Sequence, residues 1–370
     1  MESALYVNGT KIPRVNDSEM HFLNRLTILY GPSGSGKSSL ITHIINTIKD
    51  DVPVAVVCCP TNAMNGDYNG VFPESVIHDD MSKELLTNIF ERQQSMIHMY
   101  SKVRDIDSLR SIFVKTASMD ELDRVRKLDK ILRDGTNLAM NQFSKEDAEV
   151  EIQELTDTYT RKVRRTMRES IKSNLNALSS RSDLTDDQRL IITNFKINPN
   201  MLLIIDDCAA SIKEWRDLTE TKKLFFQGRH YKITVLLTMQ NEIIIPPPLR
   251  QNAHISIFAT EKIANTFFNK ASSGATNEDK KKISSISAAV FAPSDNPNRP
   301  NYKKLVVFGS IIKTSYRYQF MIANPRKYKF GSEPFWQLCT QAKKDSDGSG
   351  ASSSKFNRMF NVKPQPILNC

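Results

Sequence analysis

LTILYGPSGSGKSSLITHIINTIK, Leu26 to Lys49, changes its hydrophobic period halfway. Leu26 to Tyr30 is a short unbroken apolar run, the pattern of a strand buried on both faces. Leu40, Ile41, Ile44, Ile45 and Ile48 then recur at helical spacing. Asp50 and Asp51 end the helix, and VPVAVVCC (Val52 to Cys59) gives a second buried strand closed by Pro60. Strand, helix and strand within about 35 residues make a βαβ unit.

Between the strand and the helix, Gly31-Pro32-Ser33-Gly34-Ser35-Gly36-Lys37-Ser38 satisfies the phosphate-loop pattern GxxxxGK[ST]. The glycines let the backbone curl until successive N–H groups point at phosphate oxygens, and the helix start adds its positive dipole end. Lys37 is placed to reach the β and γ phosphates, and the Ser38 hydroxyl to complete a magnesium shell. The expected phosphate-binding stretch is therefore Gly31 to Ser38 with Ser39 beside it. A chance glycine-serine turn is the bland alternative, and the flanking strand and helix argue against it. On its own the loop says only that ATP or GTP is bound with Mg2+.

MLLII, Met201 to Ile205, is another buried strand, and it ends in Asp206-Asp207. Acids at that edge of a parallel sheet lie beside the phosphate loop. Asp206 is expected to hold magnesium through water, and Asp207 to polarise the attacking water. The bland reading is a solvated acidic turn. ITVLLT (Ile233 to Thr238) ends at Met239-Gln240. The Gln240 amide either bridges the γ-phosphate or its water to the sheet, or is a plain strand terminus. Phosphoryl transfer also needs positive charge on the leaving phosphates, often an arginine from a neighbouring subunit. Arg229 in QGRHYK and Arg250 in PPPLRQN are the two candidates.

From Met81 to Phe195 the chain changes character: one glycine (Gly135), no proline and dense charge. Leu122, Val125, Leu128, Ile131 and Leu132 share one helical face. Ile152, Leu155, Tyr159, Val163, Met167, Ile171, Leu175 and Leu178 form a second stripe. Its mostly four-residue spacing suits a helical hairpin better than a long coiled coil. Arg161, Lys162, Arg164, Arg165, Arg168 and Lys172 form a basic stripe opposite the apolar one, a solvated face or a contact surface. Thr185-Asp-Asp-Gln188 reads as a capping box. Further on come a helix carrying Trp215, Leu218, Leu224 and Phe225, a strand at Ile255 to Ala259, a helix at Lys262 to Asn269 and a loop at Ser272 to Asn277. Two late β-like runs follow, Leu305 to Gly309 and Ser315 to Ile322. The expected fold is α/β, a P-loop NTPase with a doubly wound, mainly parallel sheet and a long helical insertion. Its expected parts are residues 1–80 and 196–342 for the ATPase domain, 81–195 for the insertion, and 343–370 for a disordered Asp-, Ser- and Gly-rich tail.

The composition, 39% hydrophobic and 25% charged, is that of a globular protein. No run approaches the roughly 18 apolar residues of a membrane span. The start lacks a secretory pattern, so an intracellular protein is expected. Cys58, Cys59, Cys208, Cys339 and Cys370 are odd in number and fit no paired framework, and the six histidines show no zinc spacing. The formal net charge of +10 favours a polyanionic partner.

GPSGSGKS, VCCPTNAMNGDYNGVFP, LLIIDDC, LFFQGRHYKITVLLTMQ and IPPPLRQNAHISIF, in that order, resemble the genome-packaging ATPases of poxviruses and other large nucleocytoplasmic DNA viruses. Those belong to the FtsK–HerA class of P-loop ATPases. The resemblance runs from about Leu26 to Phe268 apart from the insertion, and is most specific from Gly228-Arg229-His230 through Gln240 to Arg250 and Asn252. It implies ATP hydrolysis driving double-stranded DNA into a capsid, with Gln240 as a site residue. It also implies a homo-oligomeric ring, hexamer or pentamer, with an arginine acting across the interface. Capsid proteins would be partners, and the host-cell cytoplasm at the assembly site, or the virion, the location. Virophages and large DNA transposons carry the same type of ATPase. The insertion is longer than compact members need, and Asp207 stands where many carry glutamate. A helicase or recombination ATPase, a nucleotide kinase and a non-hydrolysing nucleotide switch are the other readings of the loop.

Overall fold

In the computed structural model, Val7-Asn8-Gly9-Thr10 folds the chain back on itself. β1 (Ala4–Val7) and β2 (Thr10–Pro13) pair antiparallel, and Asn8 and Gly9 between them have φ of 47° and 76°. Two central residues at positive φ match the twist of a two-residue hairpin, which Asn-Gly favours. The structure describes residues 3–208, 212–240, 245–270, 276–293, 301–309, 312 and 314–349. Contacts divide the chain into two compact units, one holding the described residues up to Gln94 and from Asn198 onward, the other Ser95–Ile197.

The first unit is built on an eight-stranded sheet. After β3 (Leu26–Tyr30) come α1 (Lys37–Ile48), β4 (Val54–Cys58), the short α2 (Asn62–Asn65), β5 (Ile77–His78) and α3 (Lys83–Lys102). All five residues of β3 and of β4 are buried, which is why neither run alternates. Leu85, Leu86, Ile89 and Phe90 of α3 join the same core as the sheet. The helical unit therefore begins inside α3, at Ser95, later than the change of composition at Met81.

That second unit holds the rest of α3, then α4 (Ile106–Phe113), α5 (Met119–Gln142), α6 (Lys145–Ser173), α7 (Leu175–Ser179) and α8 (Asp186–Thr193). It has its own core, in which Leu109, Ile112, Val163, Met167, Ile171 and Leu178 are fully buried. Gly135 sits where α5 meets α6: a Cβ there would lie 3.1 Å from Leu155 Cδ1. Capping boxes start α5 at Ser118/Glu121 and α8 at Thr185/Gln188, each satisfying two otherwise orphaned N–H groups.

Beyond it the first unit resumes with β6 (Met201–Ile205), α9 (Ile212–Trp215), α10 (Thr219–Gln227), β7 (Ile233–Met239), α11 (Pro247–Gln251), β8 (Ile255–Phe258) and α12 (Glu261–Asn269). The single helix expected after Asp207 is two, α9 and α10. α13 (Asn277–Phe291), β9 (Lys303–Phe308), β10 (Tyr318–Ile322) and α14 (Glu333–Ser349) complete it. The strand order is β10-β9-β8-β3-β7-β6-β4-β5, with β9 antiparallel to both of its neighbours, β8 and β10, and every other adjacent pair parallel. The mainly parallel α/β expectation holds.

Two local readings are corrected. Asn277, placed in a loop, opens α13 behind a Thr276/Asp279 capping box, while 271–275 lie outside the described residues. The tail expected to be disordered from 343 continues α14 to Ser349. Phe335 and Cys339 are buried, and a helix nucleated on such anchors propagates cheaply into polar sequence. Residues 350–370 lie outside the described residues.

At the start of β3, the Leu26 N–H donates to His254 Nδ1 at 3.2 Å. Burial, then the charges of Arg229 and Arg25, push the His254 pKa down to about 4. An unfolded histidine titrates near 6.5 and so binds its proton first on acidification. The stabilisation is complete above pH ~6.5 and disappears as the pH falls toward about 4. His254→Asn keeps an acceptor that cannot protonate, so its urea-unfolding stability should fall less over that window than the wild type's. Trp215 and Trp336 both belong to this unit, so tryptophan fluorescence reads its unfolding alone.

Candidate functional site

β3 lies between β7 and β8 and delivers the phosphate loop to the carboxyl edge of the sheet. The loop leaves the strand through Gly31, whose N–H donates to Met239 O at 3.0 Å. A Cβ at Gly31 would meet Ser35 Oγ at 2.4 Å and Ala259 Cβ at 2.7 Å, so no side chain fits there. Gly34 and Gly36 take φ of 73° and 84°, the left-handed region that glycine enters without penalty. Pro32 and Ser33 are exposed on the loop, and Ser38 and Ser39 are half-buried in the first turn of α1. α1 has no side-chain cap and no acid in its first turn, so its leading N–H groups face outward as an anion site.

Lys37 Nζ donates to the carbonyls of Gly31 and Pro32, both at 3.0 Å. Burial lowers its pKa, and the nearby charges of Asp206 and Asp207 oppose that shift. Ser35 Oγ is buried without a hydrogen-bond partner. A folded-back lysine, an orphaned hydroxyl and uncapped helix amides are the donor set that a chain of phosphates satisfies.

β6 and β7 run parallel with Ile205 opposite Leu237, which sets Asp206 beside Thr238. Asp206 is only 4% exposed. Its Oδ1 accepts from Thr238 Oγ1 at 2.7 Å, and its Oδ2 accepts from the Tyr68 hydroxyl at 2.6 Å and from Ser38 Oγ at 3.4 Å. Tyr68 is fully buried, and burial together with the Asp206 charge pushes its pKa well up, which keeps the phenol a donor. Its own backbone N–H is held by Asn62 Oδ1 at 3.0 Å. Neither Tyr68 nor Thr238 emerged from the sequence reading. Thr238 did carry a signal, a hydroxyl inside an otherwise apolar buried run.

Asp207 is left-handed, φ 58°, a conformation aspartate tolerates better than most residues. Its N–H donates to Thr238 Oγ1 at 3.0 Å, and its Oδ1 accepts from Gln240 Nε2 at 2.7 Å. Gln240 is exposed at the end of β7. The structure thus brings Lys37, Ser38, Asp206, Asp207 and Gln240 to one edge. The Ser38 hydroxyl and the Asp206 carboxylate, both oxygen donors, would suit a magnesium ion. Among the described residues no group of three or more His, Cys, Asp or Glu forms a metal cage.

The two arginines are placed differently. Arg229 is exposed in the turn before β7, at the amino edge of the sheet. It is separated from the carboxyl edge by the seven residues of β7, roughly 20 Å at ~3.3 Å per residue. Arg250 lies in α11, 8% exposed, with its guanidinium 5.7 Å from the Phe267 ring centre.

Against the phosphate loop lies a cavity of about 500 Å³. Gly34 and Ser39 line one side, and Tyr302, Lys304 and Pro325 another. Lys304 Nζ donates to Ala259 O at 3.4 Å, and burial lowers its pKa. Tyr302 is 64% exposed and leaves a ring face available.

A buried parallel strand, a glycine loop opening a helix, and an acid on the next strand but one define the P-loop NTPase fold. Searched against protein families, the chain matches no family model. It is 28% identical over 345 residues to the uncharacterized protein B354L of African swine fever virus, covering 90% of this chain and 92% of that one. An uncharacterized protein of Acanthamoeba polyphaga mimivirus is 23% identical over 225 residues, 61% of this chain and 48% of its own. Among solved structures it is similar to the genome packaging NTPase B204 from Sulfolobus turreted icosahedral virus 2 in complex with ATP-gammaS. That match has 12% identity, 85% of this chain, 100% of the other and a TM-score of 0.34. The plasmid coupling protein TrwB in complex with ADP and Mg2+ matches at 13% identity, 90% of this chain, 92% of the other and a TM-score of 0.32. Among the described residues no helix is long and apolar enough to cross a membrane.

Thr238→Val removes one hydroxyl that both donates to Asp206 and accepts from Asp207. Leaving those groups unpaired should destabilise the first unit by about 1–3 kcal/mol, measured by urea unfolding of the nucleotide-free protein. Tyr68→Phe leaves the Asp207 amide paired and should cost less.

Proposed function

We propose that this chain is a magnesium-dependent ATPase that moves double-stranded DNA, working as the packaging motor of a large DNA virus. The observation that carries the reading is the Gln240–Asp207 hydrogen bond of 2.7 Å beside the phosphate loop. It ties the amide at the end of one strand to the second acid of the next, and so gives the amide a task that a plain strand terminus lacks.

In this reading Gly31 to Ser39 wrap the phosphates, and Lys37 leaves its own loop carbonyls for the β and γ oxygens. The cavity bounded by Tyr302 and Lys304 takes the ribose and base. Ser38 and Asp206 hold the ion, which when bound neutralises charge on the phosphates. Tyr68 and Thr238 would fix the orientation in which the Asp206 carboxylate holds the ion. Asp207 accepts the proton of the attacking water, and Gln240 aims that carboxylate while sensing the γ-phosphate. Reach is shorter for aspartate than for glutamate, so the carboxylate that Gln240 holds must lie close to the attacking water.

The ring is part of the proposal. Arg229 is exposed and remote from its own phosphate loop, so it is the arginine free to reach a neighbour's site, whereas Arg250 is buried. Capsid proteins would be the partners, and the host cytoplasm at the assembly site the location. The +10 charge suits a sequence-independent grip on the DNA backbone.

Turnover of ATP should rise when long duplex DNA is added and should fall as salt rises. Lys37→Ala should abolish it, and Asp207→Asn should lower kcat by about 10²–10⁴-fold with nucleotide binding retained. Turnover indifferent to DNA at every salt concentration rejects the translocase, and phosphorylation of a small acceptor makes the chain a kinase. Arg229→Ala subunits mixed with wild type should depress turnover beyond their own share; proportional loss would remove Arg229 as the residue acting across the interface.

A further inference from the structure

The helical unit contains a concave site of about 440 Å³ whose lining is almost wholly cationic: Arg104, Arg161, Arg164, Arg165, Arg168 and Lys172, with Glu169 and Phe195. Positions 161, 164, 165, 168 and 172 follow one face of α6, since residues three and four apart are neighbours on a helix. Glu169 is the one carboxylate in the lining, and Arg165 Nε already pairs with it at 2.8 Å.

Like charges gathered this closely repel, and the structure does not let them disperse. Arg164 Nε donates to Arg104 O at 2.9 Å. Arg168 donates to Val103 O at 2.7 Å and to Phe195 O at 3.3 Å. Each guanidinium spends part of its five-donor fork on a fixed carbonyl, which holds it in place and leaves the other N–H groups for a ligand. A preorganised fork is suited to bidentate contact with phosphate, and less orientation entropy is lost on binding.

Length and aromatic content select among polyanions. From Arg161 to Lys172 the helix rises about 16 Å at ~1.5 Å per residue. That is long enough to meet several phosphates of one strand, more than a single free phosphate can offer. Among the described residues Phe195 is the only aromatic one of the lining, and the Arg168 guanidinium lies over its ring, 4.5 Å from the centre. At 3% exposure Phe195 offers no ring face for stacking an unpaired base, which single-strand binders require. We infer that this arginine-lined site on α6 binds the phosphodiester backbone of duplex DNA. It shares a ligand with the proposed motor, is built entirely from residues of the helical unit and needs no nucleotide.

The test uses the full chain without nucleotide and a fluorescent random-sequence duplex of about 20 base pairs, followed by anisotropy across about 50–200 mM salt. The triple variant Arg161→Ala, Arg165→Ala, Lys172→Ala removes exposed side chains and spares Arg164 and Arg168, which hold the backbone. Its affinity should fall at least about tenfold, and the log–log salt slope should shrink by about 2–3, near 0.9 per lost phosphate contact. A matched triple on α5, Arg124→Ala, Lys127→Ala, Lys130→Ala, removes equal charge and should change neither by half as much. DNA-free ATP turnover should be unchanged in both.

Unchanged affinity and slope in the α6 triple would overturn the inference, as would an equal loss in the α5 triple. Inorganic tripolyphosphate binding the site as tightly as duplex makes it a small-polyphosphate site and also overturns it; tighter binding of a single strand does the same. If the duplex binds here while turnover ignores DNA, the motor reading fails alone. If turnover responds to DNA and the α6 triple binds normally, this inference fails alone.

Discussion

A carboxylate held 4% exposed at the end of a parallel strand governs the arrangement around it. Removing such a charge from water costs several kcal/mol unless donors replace the lost solvent. Asp206 recovers them from three separate parts of the chain: Tyr68 beyond α2, Thr238 near the end of β7, and Ser38 in the first turn of α1. The register of β6 on β7 sets Thr238 beside it, and the close loop exit at Gly31 keeps α1 within reach. Slip that register by one residue and Thr238 would point to the other face of the sheet. The buried acid therefore ties sheet pairing, loop conformation and the start of α1 into one constraint.

The neighbouring Asp207 shows the opposite logic. Its backbone is left-handed and its carboxylate is half-exposed, held by an exposed amide rather than by buried hydroxyls. In the proposed mechanism the group that accepts a proton from water needs solvent access, whereas the group that holds a cation needs fixed geometry. Two adjacent aspartates thus sit in different surroundings, one among buried hydroxyls and one beside an exposed amide.

The helical unit solves a charge problem within an independent core. Val163, Met167 and Ile171 bury one face of α6, and the opposite face collects arginines anchored on carbonyls of the loop after α3 and of Phe195. The apolar stripe was legible because its period is local. That the basic residues meet Arg104 and Phe195 in a hollow was not, since those two lie 57 residues before and 27 after Arg161 and Arg168 respectively (161 − 104, 195 − 168). The Asn-Gly hairpin and the Thr276 capping box were written in the sequence too, as short signals outweighed by longer patterns nearby.

The sequence by itself determined the strand, loop and helix from Leu26 to Ile48, the acids after β6 and the long helices of the insertion. Each depends on hydrophobic period or glycine conformation within a few residues, so neighbours along the chain suffice. Only the tertiary structure decided that Tyr68, 138 residues before Asp206, is its closest hydroxyl donor. It alone decided that Gln240 touches Asp207, that Arg250 is buried while Arg229 is not, and that β3 sits between β7 and β8. Those facts follow from strand order and register, which are set by the packing of the whole sheet and cannot be read from any one segment.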